Sequence, residues 1–124
     1  MSEQKRILAV DDVVTNLRLL KSILESKYQV LLAKTTEIAF QILAVQQIDL
    51  ILLDIELSFD ISGFEFFALL RKQEHLASIP VIFVTSHTSP EFIRKAATCG
   101  AAGYIAKPFD AATLLKKIEK VLGA

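Results

Sequence analysis

The residues that could do chemistry in this sequence are polar side chains placed directly after short apolar runs. They comprise three carboxylates, one hydroxyl and one ammonium group, a set that suits a cation and a bound anion together. They are Asp11, Asp12, Asp54, Thr85 and Lys107. Taken singly, each has an ordinary structural role as a loop-starting residue, a cap or a surface charge. Whether they act together depends on the elements that position them.

Short apolar runs of strand length lead to each of these residues. The most apolar run is Leu50–Leu53, which leads directly to Asp54 and predicts a fully buried central strand. One further apolar run lies between the runs that lead to Asp11 and to Asp54. The predicted strands are Lys5–Val10, Tyr28–Ala33, Asp49–Leu53, Pro80–Val84 and Gly103–Ala106.

Stretches with helical periodicity separate the predicted strands and follow the last one. In the first stretch, Leu17, Leu20 and Leu24 lie on one face. Leu19 and Ile23 are expected to widen that face. Three predicted helices are Val13–Ser26, Phe64–Glu74 and a helix from Pro90 to about Gly100. A further helix is expected to begin at a cap formed by Thr35 or Thr36, and the last helix at a cap formed by Asp110. This alternation predicts an α/β fold with a parallel sheet and helices on both faces.

Length, charge and cysteine content exclude several classes of protein. A chain of 124 residues fits one domain, residues 1–124, and a formal net charge of zero disfavours direct nucleic-acid binding. No apolar run reaches the length of a membrane span, and the first residues lack the apolar core of a signal peptide. Cys99 is the only cysteine, so no disulfide can form within the chain. These features predict a cytoplasmic protein without membrane contact.

The carboxyl ends of parallel strands share one edge of the sheet. Asp11, Asp12 and Asp54 therefore converge if the first and third strands are neighbours. Two carboxylates about 4 Å apart repel by roughly 4 kcal/mol at an effective dielectric of about 20, so they share protons or hold a cation. Oxygen ligands without histidine or cysteine favour Mg²⁺. With Thr85 and Lys107 beside it, such a site would suit a phosphoryl group, with Asp54 as the covalent acceptor.

Several short motifs in a fixed order carry a family resemblance. They are Asp11-Asp12, Asp54-Ile55, Gly63-Phe64-Glu65, Thr85-Ser86 and Lys107-Pro108-Phe109. With these motifs the chain resembles, across essentially its whole length, the receiver domain of bacterial two-component response regulators. The resemblance implies a flavodoxin-like receiver fold, which has a five-stranded parallel sheet in the order 2-1-3-4-5 and five helices on its two faces.

The resemblance also implies roles for residues around the acceptor. Asp54 would accept a phosphoryl group from a sensor histidine kinase or a phosphotransfer protein. Asp12, Asp54 and the backbone carbonyl of Glu56 would bind Mg²⁺ directly, and Asp11 would act through water. In this family the positions of Glu56 and His87 tune how fast the phosphoryl group is hydrolysed, so both are candidate rate-tuning residues.

The remaining implied roles concern a conformational switch. Lys107 would contact a phosphoryl oxygen, and its peptide bond to Pro108 is expected to be cis. Thr85 would move toward the phosphoryl group, and Tyr104 would turn inward after it. This movement would alter the surface formed by the fourth helix, the fifth strand and the fifth helix. That surface would address an output domain or a downstream protein target, and a homodimer is a further candidate assembly.

Two local features distinguish this chain from typical members of the family. The family usually has proline where Ser58 stands, and the loop after Asp54 is longer by one residue. Without a residue that fixes φ, the loop that carries the Glu56 carbonyl is expected to be looser.

The segment Asp11–Leu17 is similar to the same segment of receivers attached to output domains that metabolise cyclic di-GMP.

The favoured interpretation is a phosphoacceptor regulatory domain that supports only its own phosphorylation and dephosphorylation and is otherwise not an enzyme. One alternative is a degenerate receiver that acts only as a protein-interaction module. The other is a flavin-binding electron carrier with the same strand order. Asp11 and Asp12 disfavour the flavin carrier, because two carboxylates after the first strand would repel a flavin phosphate.

Overall fold

The structure is a computed structural model that describes residues 4–56, 62–86 and 89–123. Within these ranges strands and helices alternate as the sequence predicts. The strands are β1 (Arg6–Val10), β2 (Gln29–Ala33), β3 (Leu50–Leu53), β4 (Val81–Thr85) and β5 (Gly103–Ala106). The helices are α1 (Val14–Leu24), α2 (Thr36–Val45), α3 (Gly63–Lys72), α4 (Pro90–Thr98) and α5 (Ala111–Leu122). Among the described residues, no helix has the length and apolarity that crossing a membrane requires.

The strands form one parallel sheet with the order β2-β1-β3-β4-β5, which confirms the predicted fold class. β3 lies at the centre between β1 and β4, and all four of its residues are buried. The register places Val10 of β1 beside Leu53 of β3. Asp11 and Asp54 therefore follow their strands at the same edge of the sheet.

Two hydrophobic layers cover the two faces of the sheet. In β3, Leu50 and Leu52 face the layer under α1 and α5, and the other two residues face the layer under α2, α3 and α4. The prediction for Leu19 was wrong, because this side chain of α1 is 48% exposed. Leu19 lies about 100° around the helix from buried Leu20, which turns it away from the sheet.

Helix α3 begins in direct contact with the segment that follows β3. Its first residue, Gly63, donates its backbone N–H to the carbonyl oxygen of Ile55 over 2.8 Å. A Cβ atom on Gly63 would overlap the carbonyl oxygen of Asp54 and lie 2.7 Å from Ile55 Cα. Glycine permits this close approach because it has no side chain. The start of α3 is therefore tied to the backbone of Asp54.

Gly63→Ala is expected to lower the free energy of unfolding by about 1–3 kcal/mol, because the added methyl group must displace the Asp54–Ile55 backbone. Gly103→Ala is the matched control, since a Cβ atom there meets nothing within 4 Å. The control is expected to leave stability unchanged or to raise it by up to about 1 kcal/mol. Urea denaturation measures the difference, and equal stabilities of the two variants would contradict close packing at Gly63.

Candidate functional site

The carboxylates of Asp11, Asp12 and Asp54 converge beyond the carboxyl ends of β1 and β3. Backbone hydrogen bonds continue the sheet at this point. The N–H of Asp11 donates to the carbonyl of Ala33 over 3.1 Å, and that of Asp54 donates to Val10 over 3.0 Å. One oxygen from each of the three carboxylates lies within 4.8 Å of the others. Asp11 and Asp54 are 2% and 6% exposed, so both charges lie largely out of contact with water.

Lys107 brings a positive charge into this cluster. Lys107 directly follows β5, and its backbone N–H donates to the carbonyl of Thr85 over 2.8 Å. This hydrogen bond holds Lys107 at the same edge of the sheet. The Nζ atom lies 3.0 Å from Asp11 Oδ2 and 3.3 Å from Asp54 Oδ2. The peptide bond between Lys107 and Pro108 is cis, as expected. One ammonium group thus contacts the carboxylates of two strands.

Further donors orient the carboxylate oxygens, and two of them come from Glu56 and Asn16. The Asp54 Oδ1 atom accepts the backbone N–H of Glu56 over 3.1 Å. The Asp11 Oδ2 atom accepts the side-chain amide of Asn16 over 3.1 Å. Asn16 was not among the candidates from the sequence. The feature of the sequence that could have indicated Asn16 is its position, five residues after Asp11 and on the first turn of the next helix. The spacing alone does not show which way its amide points.

Burial and neighbouring charges set the ionisation of the cluster. The pKa of Asp54 is raised to about 6. Burial is the main cause, the ammonium group of Lys107 acts in the opposite direction, and the charge of Asp11 raises the pKa again. Burial alone would lower the pKa of Lys107, but its hydrogen bonds and charge interactions with Asp11 and Asp54 outweigh burial and raise it. Lys107 is therefore an ammonium group at neutral pH.

The cluster fits a divalent cation by its chemistry. Its donors are carboxylate oxygens, which are the hard ligands that Mg²⁺ prefers. Three carboxylates against one ammonium group leave an excess of negative charge when all are ionised. Repulsion among like charges in a buried site favours either protonation or the binding of a cation. The chemistry of the residues present thus suits a divalent cation.

Thr85 and Tyr104 lie on the two strands at one side of the cluster. Thr85 is buried at the end of β4, and its carbonyl holds the backbone of Lys107. Tyr104 is half-buried on β5, and the Nζ atom of Lys117 lies 5.0 Å from the centroid of its ring. The same Nζ atom donates to the Tyr104 carbonyl over 2.6 Å. Tyr104 thus contacts α5, whereas Thr85 stands next to the cluster.

The candidate rate-tuning positions differ in what the structure describes. Glu56 is exposed, and its backbone N–H contacts the Asp54 carboxylate. His87 lies outside the described residues. Most of the loop after Asp54, residues 57–61, also lies outside the described residues, and this part includes Ser58. The predictions for His87 and for a looser loop therefore stay predictions.

A family model, a relative and a solved structure that match most of this chain all indicate the same family. The sequence model of the response regulator receiver domain matches residues 7–119. Chemotaxis protein CheY-3 of Vibrio cholerae is 31% identical over 123 residues, which covers 98% of this chain and 94% of that protein. The solved structure of chemotaxis protein CheY4 of Vibrio cholerae is similar with a TM-score of 0.89 and 30% identity, over 97% of this chain and 100% of the other.

Longer proteins contain a similar segment. A probable cyclic di-GMP phosphodiesterase of Vibrio cholerae is 34% identical over 116 residues, which is 94% of this chain and 26% of that protein. The CAI-1 autoinducer sensor kinase/phosphatase CqsS of the same species is also 34% identical, over 93% of this chain and 17% of that protein. The chain therefore spans about a quarter or less of these two relatives.

The raised pKa of Asp54 predicts a pH-dependent stability in metal-free protein. Asp54 binds its proton more tightly in the folded state, with a pKa of about 6 against an ordinary value of 3.8, so stability falls as pH rises through this interval. Between pH 4.5 and 7.5 the wild type is expected to lose about 2 kcal/mol relative to Asp54→Asn, which has no titrating group there. Urea denaturation in EDTA at both pH values measures this change.

The comparison between the two proteins removes the contribution of the shared titrating groups that do not interact with Asp54. As the pH rises, the free energy of unfolding of Asp54→Asn is expected to increase relative to that of the wild type. A difference in stability that is the same at both pH values would show that burial does not raise the pKa of Asp54.

Proposed function

The chain belongs to the response regulator receiver domain family of two-component signalling, and from this premise we propose that it is a phosphorylation-controlled switch with Asp54 as its phosphoacceptor. The phosphoryl donor would be a sensor histidine kinase or a phosphotransfer protein. The observation that carries the proposal is the buried Asp54 carboxylate, which lies beside two further carboxylates and 3.3 Å from the ammonium group of Lys107.

The proposed reaction is a transfer of one phosphoryl group. A carboxylate oxygen of Asp54 attacks the phosphorus atom, and a P–O bond forms while the P–N bond of the donor phosphohistidine breaks. The electron pair of that bond stays on the histidine nitrogen, which takes up a proton from water. With acetyl phosphate as donor, a P–O bond breaks instead and acetate leaves. Asp54 must be ionised for this attack, and its pKa of about 6 leaves it mostly ionised at neutral pH.

The proposed direct metal ligands are Asp12, Asp54 and the backbone carbonyl of Glu56, with Asp11 acting through water. Bound Mg²⁺ would supply positive charge that offsets the charge on the transferred phosphoryl oxygens. Lys107 would bind one of those oxygens, since its ammonium group already lies within reach of Asp54. Oxygen donors and an excess of negative charge support this assignment.

The proposed output is a change at the surface formed by α4, β5 and α5. Thr85 would move toward the phosphoryl group, Tyr104 would follow, and the cation contact from Lys117 would have to adjust. An open pocket of about 590 Å³ beside β5 and α5 is lined in part by Tyr104 and Lys117, so this movement would reshape it. Driving such a switch from 1:99 to 99:1 requires about 5.5 kcal/mol of differential interaction.

The proposed setting is a regulatory unit of residues 1–124 in the cytoplasm, whose target is an output domain or a separate protein. Its direct partners would be proteins, including a second copy of the chain in a homodimer, and not nucleic acid or a membrane. Glu56 and His87 would tune the lifetime of the phosphoryl group. One class of output to test is an enzyme of cyclic di-GMP metabolism, because a similar receiver segment occurs in a probable cyclic di-GMP phosphodiesterase.

The remaining alternative is a degenerate receiver that binds partners without accepting a phosphoryl group. The proline-free loop after Asp54 favours it, whereas the complete set of carboxylates and Lys107 favours the phosphoacceptor. The flavin carrier has no support, since the matching family is that of receiver domains.

Incubation with acetyl phosphate and Mg²⁺ is expected to add one phosphoryl group to the wild type, because the cluster provides the acceptor and its charge partners. Asp54→Asn is expected to gain none, since its amide is not a nucleophile of comparable strength. Intact-mass spectrometry measures both. Omitting Mg²⁺ and adding EDTA is expected to slow uptake by the wild type strongly.

Thr113→Ala, at an exposed position of α5, serves as a control and is expected to take up the phosphoryl group like wild type. A wild type that gains no phosphoryl group under any of these conditions would favour the degenerate receiver. Equal uptake by Asp54→Asn would assign the acceptor to another residue.

A further inference from the structure

Asp11 is held by three hydrogen-bond donors of different kinds. Its Oδ1 atom accepts the backbone N–H of Val13 over 2.9 Å. Its Oδ2 atom accepts both the ammonium group of Lys107 over 3.0 Å and the side-chain amide of Asn16 over 3.1 Å. A carboxylate offers about four lone-pair directions, so these donors leave about one of them. A cation that approaches Asp11 therefore competes with the donors already present.

The two side-chain donors on Asp11 Oδ2 respond differently to a divalent cation. The ammonium group of Lys107 carries a charge of the same sign as the cation, so the two repel each other within a few ångströms. The amide of Asn16 carries no net charge and can remain on the carboxylate beside a bound cation. When Lys107 moves to a phosphoryl oxygen, Asn16 and the Val13 N–H stay in place to orient Asp11.

The backbone fixes the origin of the Asn16 side chain. Asn16 lies in the first turn of α1, where its N–H donates to the carbonyl of Val13 over 3.0 Å. Asn16 is half-buried, and Leu17 beside it is packed in the core. This anchoring allows a short amide side chain to hold Asp11 with little freedom of its own.

We propose that Asn16 is a positioning residue for the metal centre, and that its neutral amide keeps Asp11 oriented when a divalent cation takes the place of Lys107. The inference rests on the proposed function. Groups that orient a metal-binding side chain typically change metal affinity 10- to 100-fold when they are removed. Asn16 would thus set the Mg²⁺ affinity of this chain without being a metal ligand itself.

The test uses the full chain and titrates Mg²⁺ alone by calorimetry. Asn16→Leu, which has a similar size and no donor, is expected to weaken Mg²⁺ binding about tenfold. Asn16→Lys is expected to weaken it further, because a second cation would then compete for Asp11. Thr15→Ala, at the exposed neighbouring position on the same turn, is expected to match wild type. Asn16→Ala replaces Asn16→Leu should the latter not fold.

A second readout separates positioning from a general effect on α1. In acetyl phosphate uptake, Asn16→Leu is expected to require about tenfold more Mg²⁺ for half-maximal rate, while the rate at saturating Mg²⁺ stays within about twofold of wild type. Urea denaturation in EDTA shows whether the variant is folded. A purely structural role would lower stability equally with and without Mg²⁺ and leave the Mg²⁺ affinity unchanged, and that result would overturn the inference.

The outcomes distinguish this inference from the proposed function. If wild type binds Mg²⁺ and takes up the phosphoryl group while Asn16→Leu has wild-type Mg²⁺ affinity, only the role of Asn16 is wrong. If wild type neither binds Mg²⁺ nor gains a phosphoryl group, both proposals are wrong.

Discussion

The repulsion among three carboxylates at one edge of the sheet is the interaction on which the rest of the site depends. Asp11, Asp12 and Asp54 lie close together, Asp11 and Asp54 have little access to water, and Lys107 offsets only part of the charge. Burial, opposed by the ammonium group of Lys107 and aided by the charge of Asp11, raises the pKa of Asp54 to about 6. The remaining negative charge makes this edge suitable for a divalent cation, because a cation removes the repulsion without protonating the proposed acceptor.

Burial of apolar side chains in the hydrophobic core offsets the unfavourable free energy of the clustered carboxylates. At neutral pH the raised pKa of Asp54 lowers the free energy of unfolding by about 3 kcal/mol relative to the protonated carboxyl. Each fully buried leucine or isoleucine contributes about 1.5–3 kcal/mol, and all four residues of β3 are of these two types and buried. The burial free energy of these four side chains is therefore larger than the free energy that ionising Asp54 costs. A central, apolar strand can hold a reactive carboxylate for this reason.

Three contacts connect the charged cluster to the helices around it. Gly63 lets α3 begin directly on the backbone of Asp54. Asn16 joins the first turn of α1 to the carboxylate of Asp11. Lys107 continues from β5, where Tyr104 contacts Lys117 of α5. The charged cluster is thus in contact with groups that belong to different helices, an arrangement that supports the proposed switch.

The sequence alone determined the alternation of strands and helices and the polar residues at the strand ends, because apolar periodicity is a local property of the chain. It did not determine the strand order, which entered through the family resemblance. The contacts of Lys107 with carboxylates 96 and 53 positions away emerge from the folded structure alone. The tertiary structure also decided that Asn16 turns toward Asp11 and that Leu19 faces solvent. These contacts depend on how distant segments pack, and local spacing carries no information about that packing.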